Sequence, residues 1–134
     1  MFSVIKLASE TLTERYNTSI FNYFYETFSK GFIIAEKNHK IVGFIIGVKL
    51  NQELTKILML SVDELFRKQN VGSALLNRFF EVILKEKIKF VELEVRCYNQ
   101  KAIKFYKKHG FIIINQIKNF YQDESNAYTM KKKL

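Results

Sequence analysis

The alternation of apolar and polar positions at the start of the chain predicts a short strand followed by helical structure. Residues 2–7 are predominantly apolar with interspersed polar positions, a pattern that predicts a strand. Residues 9–29 carry helical periodicity that breaks near Gly31, which favours two short helices over one. The chain is therefore expected to open with one strand and a helical pair.

Three β-rich runs follow the helical stretch. Residues 32–36 and 41–50 flank the polar segment 37–40, which predicts a hairpin. Residues 51–53 form the next turn signal, and a third strand is expected to end at Val62. Consecutive strands with such short connections predict an antiparallel meander.

The second half of the chain alternates helical and strand patterns. Helical spacing from about residue 71 to 86 is followed by the alternating segment 90–96, and a second, shorter helix is expected to close at Gly110. Residues 111–117 and 127–132 predict two final strands. The whole pattern predicts an α/β fold, with a central mixed sheet of about six or seven strands and about four helices on both faces.

Residues 62–76, VDELFRKQNVGSALL, have the arrangement expected of an anion-binding turn. They end a predicted strand, pass the basic pair Arg67 and Lys68, and open an amphipathic helix containing Gly72. The first N–H groups of a helix have no intrahelical acceptor and lie at the positive end of its dipole, so they bind phosphates. The alternative is an ordinary strand-to-helix turn that happens to contain a glycine.

Length and composition are typical of one globular domain spanning residues 1–134, with 48% hydrophobic residues to supply a core. No apolar run approaches the ~18 residues of a membrane span, and no signal peptide pattern is present. A soluble, cytoplasmic protein is expected. The single cysteine, Cys97, agrees with a reducing compartment.

The net charge of +9 and the 15% aromatic content raise the alternative of a nucleic-acid-binding or ribosome-associated module. Neither feature is patterned for that role. The lysines are scattered over predicted helix surfaces, and most phenylalanines fall on apolar faces where a core explains them. Nucleic acid is therefore not the expected partner, although an association with ribosomes stays open.

Two motifs in the second half resemble those of a known enzyme family. They read R-x-x-(G/N)-x-G-x-A-L-L and, further on, L-E-V-R-x-x-N-x-x-A-I-x-x-Y-x-x-x-G-F. The matching pieces are LSVDELFRKQNVGSALL (60–76), LEVRCYNQKAIKFYKKHGF (93–111) and NFYQDESNAYTM (119–130). They resemble the GNAT superfamily of acetyl-coenzyme A dependent N-acetyltransferases, and within it the RimI-like protein N-terminal acetyltransferases. The resemblance covers residues 55–130 in sequence and the earlier part only in topology.

The resemblance implies that acetyl-coenzyme A is bound between the third strand and the two helices. Backbone groups at the end of the third strand would pair with the pantetheine arm, the basic turn would hold the pyrophosphate, and an asparagine at the start of the second helix would contact the coenzyme. An N-cap is the alternative role for that asparagine. The implied coenzyme-binding residues are Leu60, Ser61, Val62, Arg67, Lys68, Gln69, Asn70, Val71, Gly72, Ser73 and Asn99. Asn70 stands where the family has its first loop glycine. Asparagine is among the few residues that adopt positive φ, but its side chain could crowd the phosphates.

The same resemblance implies two catalytic residues. Glu94, the glutamate of LEVR, would be the general base that deprotonates the amine, and Tyr106 would be the acid that protonates the departing thiolate. From the residues alone, Glu94 could instead be a solvent-facing carboxylate paired with Arg96 or a lysine, and Tyr106 a buried core aromatic.

The segment 119–130 is similar to the RimI-like tail and predicts a groove for an extended peptide end, lined by Phe120, Tyr121 and Tyr128. The expected function is acetyl transfer to an amine, above all the N-terminal α-amine of a protein or peptide. The alternatives for the function are a lysine or small-molecule amine acetyltransferase and a catalytically idle coenzyme-binding relative. The alternative for the segment is an ordinary connection between strands in place of the groove. No His, Cys and Asp spacing predicts a metal site.

Overall fold

The computed structural model describes residues 1–12 and 17–134, which fold into one six-stranded sheet with helices on both faces. The helices in this part of the chain are α1 (Phe2–Thr11), α2 (Ser19–Thr27), α3 (Val71–Lys85) and α4 (Gln100–Lys108). The strands are β1 (Phe32–Lys37), β2 (Lys40–Lys49), β3 (Leu54–Val62), β4 (Phe90–Arg96), β5 (Ile112–Ile117) and β6 (Ala127–Lys133). The predicted α/β class and mixed sheet are confirmed.

The strand order β1-β2-β3-β4-β6-β5 contains the predicted meander. β1, β2 and β3 pair antiparallel, β3 and β4 pair parallel across the α3 crossover, and β6 lies antiparallel between β4 and β5. α3 and α4 cover one face of the sheet with one apolar cluster, and α1 and α2 cover the other face with a second cluster. No helix among the described residues is long and apolar enough to cross a membrane.

The prediction of a strand at residues 2–7 is wrong, because this segment forms the first part of α1. Val4, Leu7 and Ala8 are buried and lie on one helical face, with the i, i+3, i+4 spacing of an amphipathic helix. A short apolar run fits either period, and packing against β2 and β3 decides for the helix. The two helices predicted within residues 9–29 are observed as the end of α1 and as α2, while residues 13–16 of that prediction lie outside the described residues.

Close packing of α3 on the sheet depends on Gly47 in β2. A Cβ atom placed there would lie 2.5 Å from Cζ of the buried Phe79, far inside any real contact. The absence of a side chain at Gly47 therefore lets α3 approach the sheet closely, which positions the N-terminus of α3 beside the end of β3.

The sheet splits between β3 and β4. Their parallel pairing runs from Leu54 and Phe90 to Ile57 and Leu93 and goes no further, although β3 continues to Val62. At the same place the β2–β3 register skips Leu58, which marks a β-bulge. A bulge bends its strand and increases the local twist, so it accounts for β3 turning away from β4. The result is an opening within the sheet, flanked by the ends of both strands.

Candidate active site

Two hollows adjoin the opening between β3 and β4. The first, which we name the helix-side cleft, has a volume of about 330 Å³ and lies between the end of β3 and the helices α3 and α4. It is lined by Thr11, Leu12, Leu60, Ser61, Val62, Arg67, Gly72, Asn99, Lys101, Ala102, Phe105 and Tyr106. The second, the loop-side cavity, measures about 310 Å³ and lies between α2, the bulged part of β3 and the loop before β6. It is lined by Ile20, Phe24, Lys56, Ile57, Leu58, Met59, Glu94, Phe120 and Tyr121.

The loop before α3 presents backbone N–H groups to the helix-side cleft. Ala74 donates to the Asn70 carbonyl in the first turn of the helix, so the N–H groups of Val71, Gly72 and Ser73 precede that bond. Such N–H groups at the positive end of a fifteen-residue helix attract an anion. The backbone conformation of Asn70 is left-handed, with φ of 63°, and its side chain makes no capping hydrogen bond. An asparagine at this position thus adopts the conformation for which glycine is otherwise preferred.

Gly72 is not required by the packing of the protein itself. A Cβ atom there would meet Cζ of Phe105 at 3.5 Å and Cγ2 of Val62 at 3.8 Å, which are ordinary van der Waals distances. Because Gly72 lies in the wall of the cleft, the space that such a Cβ would fill is available to a ligand. The loop and Gly72 together form a cradle, and its main-chain donors are of the kind that bind phosphate groups.

The remaining side chains of the predicted basic turn point in different directions. Arg67 lines the cleft, and its Nε donates to the Val62 carbonyl at 3.3 Å. Gln69 is turned toward the β1–β2 hairpin, where its Oε1 accepts from Lys37 at 3.1 Å, and Lys68 is exposed with φ of 64°. Of these three side chains, Arg67 is the one placed to reach a ligand in the cleft.

The Ser73 hydroxyl already contacts another side chain, so the backbone N–H is the group of Ser73 that is left for a ligand. Its Oγ lies 3.0 Å from Nε2 of His109, at the C-terminal end of α4. Burial lowers the pKa of His109, and the charges of Lys108 and Lys132 lower it further, so the ring is neutral at physiological pH and can accept this hydrogen bond. The contact ties the start of α3 to the end of α4.

Asn99 is the N-cap of α4, as the alternative interpretation of this residue expected. Its Oδ1 accepts from the Ala102 N–H at 3.1 Å. Asn99 also lines the helix-side cleft, and its Nδ2 group is not used in that capping bond. The cap therefore holds the amide in place beside the cleft.

The end of β3 contributes backbone edges to the opening. Leu60, Ser61 and Val62 pair with β2 on one side and have passed the end of the pairing with β4 on the other. The Ser61 hydroxyl is held by Thr11 Oγ1 at 2.8 Å, and Thr11 in turn donates to the Leu7 carbonyl. This side-chain link anchors α1 to β3, so the part of Ser61 that faces the opening is its main chain.

Tyr106 reaches from α4 into the wall of the helix-side cleft. Its ring packs edge-on against Phe105 and Phe111, with centroid distances of 5.2 and 5.6 Å. Burial raises the pKa of Tyr106 well above its usual range, and the charge of an ionised Tyr121 would raise it further. Tyr106 is therefore a neutral phenol at physiological pH.

Glu94 lies in the loop-side cavity with its side chain only 9% exposed, so it is not the solvent-facing carboxylate of the alternative interpretation. The lysine partner of that interpretation is observed, because one oxygen, Oε1, forms an ion pair with Nζ of Lys56. The other, Oε2, is buried and has no hydrogen-bond partner among the described residues. A buried carboxylate oxygen without a donor is energetically unfavourable, so Oε2 would gain from any hydrogen-bond donor that enters the cavity.

Of the three side chains predicted to line an acceptor groove in residues 119–130, the structure brings two together. Phe120 and Tyr121 line the loop-side cavity beside Glu94. Tyr128 does not lie with them: it pairs with Val95 in the β4–β6 ladder and packs against the apolar cluster under α3 and α4. Successive residues of a strand face opposite sides of the sheet, so Tyr128 lies on the face away from Glu94.

The loop before β6 is held by its own acidic residue. Asp123 accepts from the Ser125 N–H at 3.0 Å and from the Ser125 hydroxyl at 2.6 Å, and it lies 3.8 Å from Nε of Arg96. The hydrogen bonds with Ser125 are the main reason why the pKa of Asp123 is lowered, and Arg96 lowers it further. The Arg96 guanidinium also lies 4.0 Å from the Tyr121 ring centroid, which positions Tyr121 at the cavity.

Lys56, the bulge at Leu58 and the α2 residues of the cavity wall were not identified from the sequence. A lone lysine within the apolar run LTKILMLSV was the one available signal, because a charged residue between buried positions requires a partner. Among the described residues, no group of three or more His, Cys, Asp or Glu side chains could hold a metal ion.

Comparison with known proteins gives consistent matches. The model of the acetyltransferase (GNAT) family matches residues 1–111. The solved structure of Ard1 from Thermoplasma volcanium superposes with a TM-score of 0.95 at 38% identity, covering 99% of this chain and 90% of that one. An N-alpha-acetyltransferase of Sulfurisphaera tokodaii is 30% identical over 140 residues, covering 95% of this chain and 83% of its own length. Naa50 of Arabidopsis thaliana, solved in complex with the bisubstrate analogue CoA-Ac-MVNAL, is 27% identical with a TM-score of 0.85, covering 99% of this chain and 91% of that one.

Proposed function

We propose that this chain, which belongs to the GNAT family of acetyltransferases, acetylates the N-terminal α-amine of a protein or peptide. Its membership of this family and its similarity to N-alpha-acetyltransferases show that it depends on acetyl-coenzyme A and transfers the acetyl group to an amine. Both properties were expected from the motifs, and both are confirmed. The proposal concerns the acceptor and the residues that act on it.

We assign the coenzyme to the helix-side cleft. The N–H groups that open α3, the open space at Gly72 and the Arg67 side chain would hold the pyrophosphate, and Asn99 lies along the same wall. The main chain of residues 60–62 would pair with the pantetheine arm at the edge left open by β4. Bound there, acetyl-coenzyme A supplies the acetyl group as a thioester.

The observation that carries the proposal is the unpartnered, buried Oε2 of Glu94. An ammonium or a water molecule in the loop-side cavity would meet this oxygen, and a carboxylate at hydrogen-bond distance can take the proton that an amine must lose before it attacks. On the other side of the opening, neutral Tyr106 can donate its phenolic proton to the departing sulfur. The two residues therefore have complementary roles on opposite sides of the split sheet.

The cavity around Glu94 favours a chain end over a solvated small amine. Ile20, Phe24, Met59 and Phe120 give it apolar walls, which would desolvate an N-terminal side chain next to the carboxylate. An α-ammonium has a reference pKa of about 8, compared with about 10.4 for the lysine side chain. Removing a proton from the α-ammonium at neutral pH therefore costs less free energy. The peptide portion of the analogue bound to Arabidopsis Naa50 supports the same acceptor class.

The proposal also places the activity in the cytoplasm, where the N-termini of new proteins become available. The net charge of +9 supports a salt-sensitive association with ribosomes as part of it. Sedimentation of the protein with ribosomes at low salt, lost at high salt, is the expected behaviour, and a protein that stays in the supernatant at both would remove this part of the proposal.

Two peptides test the acceptor. One carries a free N-terminus and a blocked lysine, and the other a blocked N-terminus and a free lysine, with the acetyl group located by mass spectrometry after incubation with acetyl-coenzyme A. Faster acetylation of the first peptide is expected. Faster acetylation of the second, or modification of polyamines alone in a small-molecule panel, would overturn the α-amine assignment and leave the acetyltransferase fold in place.

A further inference from the structure

Lys56 places an amine inside the cavity where this enzyme is proposed to deprotonate amines. The residue lies on β3 just before the bulge, and its Nζ contacts Oε1 of Glu94. Its side chain is 24% exposed, so the amine is largely enclosed yet still reachable from the cavity. In the free protein, the amine beside the candidate base is therefore one of the protein's own.

From this geometry we infer that Lys56 is a site of self-acetylation, modified by the enzyme's own acetyl-coenzyme A when no peptide occupies the loop-side cavity. The inference rests on the proposed active site and not on the proposed class of acceptor. A lysine amine held in place needs no binding step, and such preorganisation raises the rate of an intramolecular reaction over the same reaction in solution.

The reaction balances with the groups present. The bond between Nζ and the acetyl carbon forms as the carbon–sulfur bond of the thioester breaks. The Lys56 ammonium loses two protons, of which Glu94 passes one to solvent and the other ends on the departing sulfur. The products are a neutral acetamide at Lys56 and the free thiol of coenzyme A.

Acetylation would change the cavity in two ways. It removes the positive charge that now pairs with Glu94, and it adds an acetyl group to a cavity of about 310 Å³ that a peptide end must enter. The modified enzyme is therefore expected to be blocked toward peptides. A saturating peptide should protect Lys56, because both amines use the same carboxylate.

The test is incubation of the full chain with acetyl-coenzyme A carrying a deuterated acetyl group, followed by mapping of every lysine. Lys49 at the end of β2 and Lys101 at the mouth of the helix-side cleft are both exposed and serve as internal references. Simple chemical acetylation would favour these two. We expect Lys56 to react roughly 10²-fold faster than either, at a rate independent of protein concentration.

Two variants separate the enzymatic reaction from background. Glu94→Gln should reduce labelling of Lys56 to the level of the references, since the base is lost while the lysine remains. Lys56→Arg keeps a cation beside Glu94 but offers no amine of the same kind. Preincubation with acetyl-coenzyme A should reduce peptide turnover by the protein that carries Lys56 and should not reduce turnover by Lys56→Arg. Each rate is compared with the rate of the same protein without preincubation.

The outcomes are distinct from those of the acceptor test. Labelling of Lys56 at or below the rate of Lys49 while peptides are acetylated would overturn this inference and leave the proposed function intact. Rapid labelling of Lys56, together with no acetylation of peptide α-amines by the Lys56→Arg variant, which cannot be blocked by this modification, would support the inference and overturn the proposed acceptor. Labelling of Lys56 that rises with protein concentration would show transfer between molecules and would overturn the intramolecular reaction.

Discussion

The two hollows on either side of the split sheet are built in different ways. The helix-side cleft uses main-chain N–H groups, an open space at Gly72 and a capped Asn99, most of them within two short stretches of sequence. The loop-side cavity uses side chains from α2, β3, β4 and the loop before β6, which are far apart along the chain. A site made of backbone tolerates changes of side chain, as Asn70 in its left-handed conformation illustrates. A site made of side chains depends on each of them.

The largest effect is expected from Glu94→Gln, which keeps the shape of the side chain and removes the proton acceptor. Turnover of a peptide substrate should fall by roughly 10²- to 10⁴-fold, the usual contribution of a general base, while coenzyme affinity changes little. Steady-state kinetics and calorimetric titration with coenzyme A measure the two quantities.

The matched control is Glu92→Gln, on the same strand and outside the wall of the loop-side cavity. Equal losses of turnover in both variants would mean that charge on β4, and not a proton acceptor, explains the effect. Full turnover in Glu94→Gln would remove Glu94 from the mechanism.

A loss of roughly 10²-fold in turnover is expected for Tyr106→Phe, because the ring is retained and only the proton donor is removed. The pH dependence of stability gives a second readout. Burial raises the pKa of Tyr106 in the folded state, so the stability associated with its neutral form is complete below the unfolded-state pKa of about 10 and is lost as the pH rises above that value. Tyr106→Phe should therefore lessen the alkaline loss of unfolding free energy in denaturant titrations.

Tyr23→Phe provides the comparison for both measurements, since Tyr23 is 60% exposed on α2. It should change neither turnover nor the alkaline limb. A Tyr106→Phe variant with normal turnover but an altered alkaline limb would identify Tyr106 as a core residue alone.

The third prediction concerns the backbone-built cleft. Gly72→Ala should weaken coenzyme A binding roughly tenfold, because the methyl group occupies space next to the phosphate cradle. The same change should stabilise the free protein by up to about 1 kcal/mol, since alanine is the better helix residue and its Cβ meets only ordinary contacts. Thermal unfolding with and without coenzyme A measures both effects, which have opposite signs.

Asn70→Gly is the companion variant on the same loop. Residue 70 already has φ of 63°, so glycine keeps the conformation, and binding should be equal or tighter once the amide side chain is gone. Weaker binding in Asn70→Gly would show that the Asn70 amide contacts the ligand. Unchanged binding in Gly72→Ala would show that the phosphates lie elsewhere.

The sequence by itself determined most of the fold and the backbone half of the site. The hairpin, the third strand and the two strand-to-helix units are confirmed, because their periodicity and turn residues are local properties of the chain. Gly110 closes α4 with φ of 93°, as a C-terminal glycine should. The motif containing Asn70 and Gly72 indicated an anion-binding loop for the same reason: the N-terminus of a helix carries its binding groups in consecutive residues.

Tertiary structure decided what depended on distant partners. Residues 2–7 form a helix because the sheet offers their apolar face a place to pack, and no local signal distinguishes that helix from a strand. Tyr128 faces away from Glu94 because the β4–β6 register fixes the side of the sheet on which each residue lies. Lys56 meets Glu94 at the point where the pairing of β3 with β4 ends, and a contact between two strands separated by a whole helix is set by their register and by the bulge at Leu58. The strand register and the bulge cannot be predicted from the residues next to Tyr128 or Lys56 in the sequence.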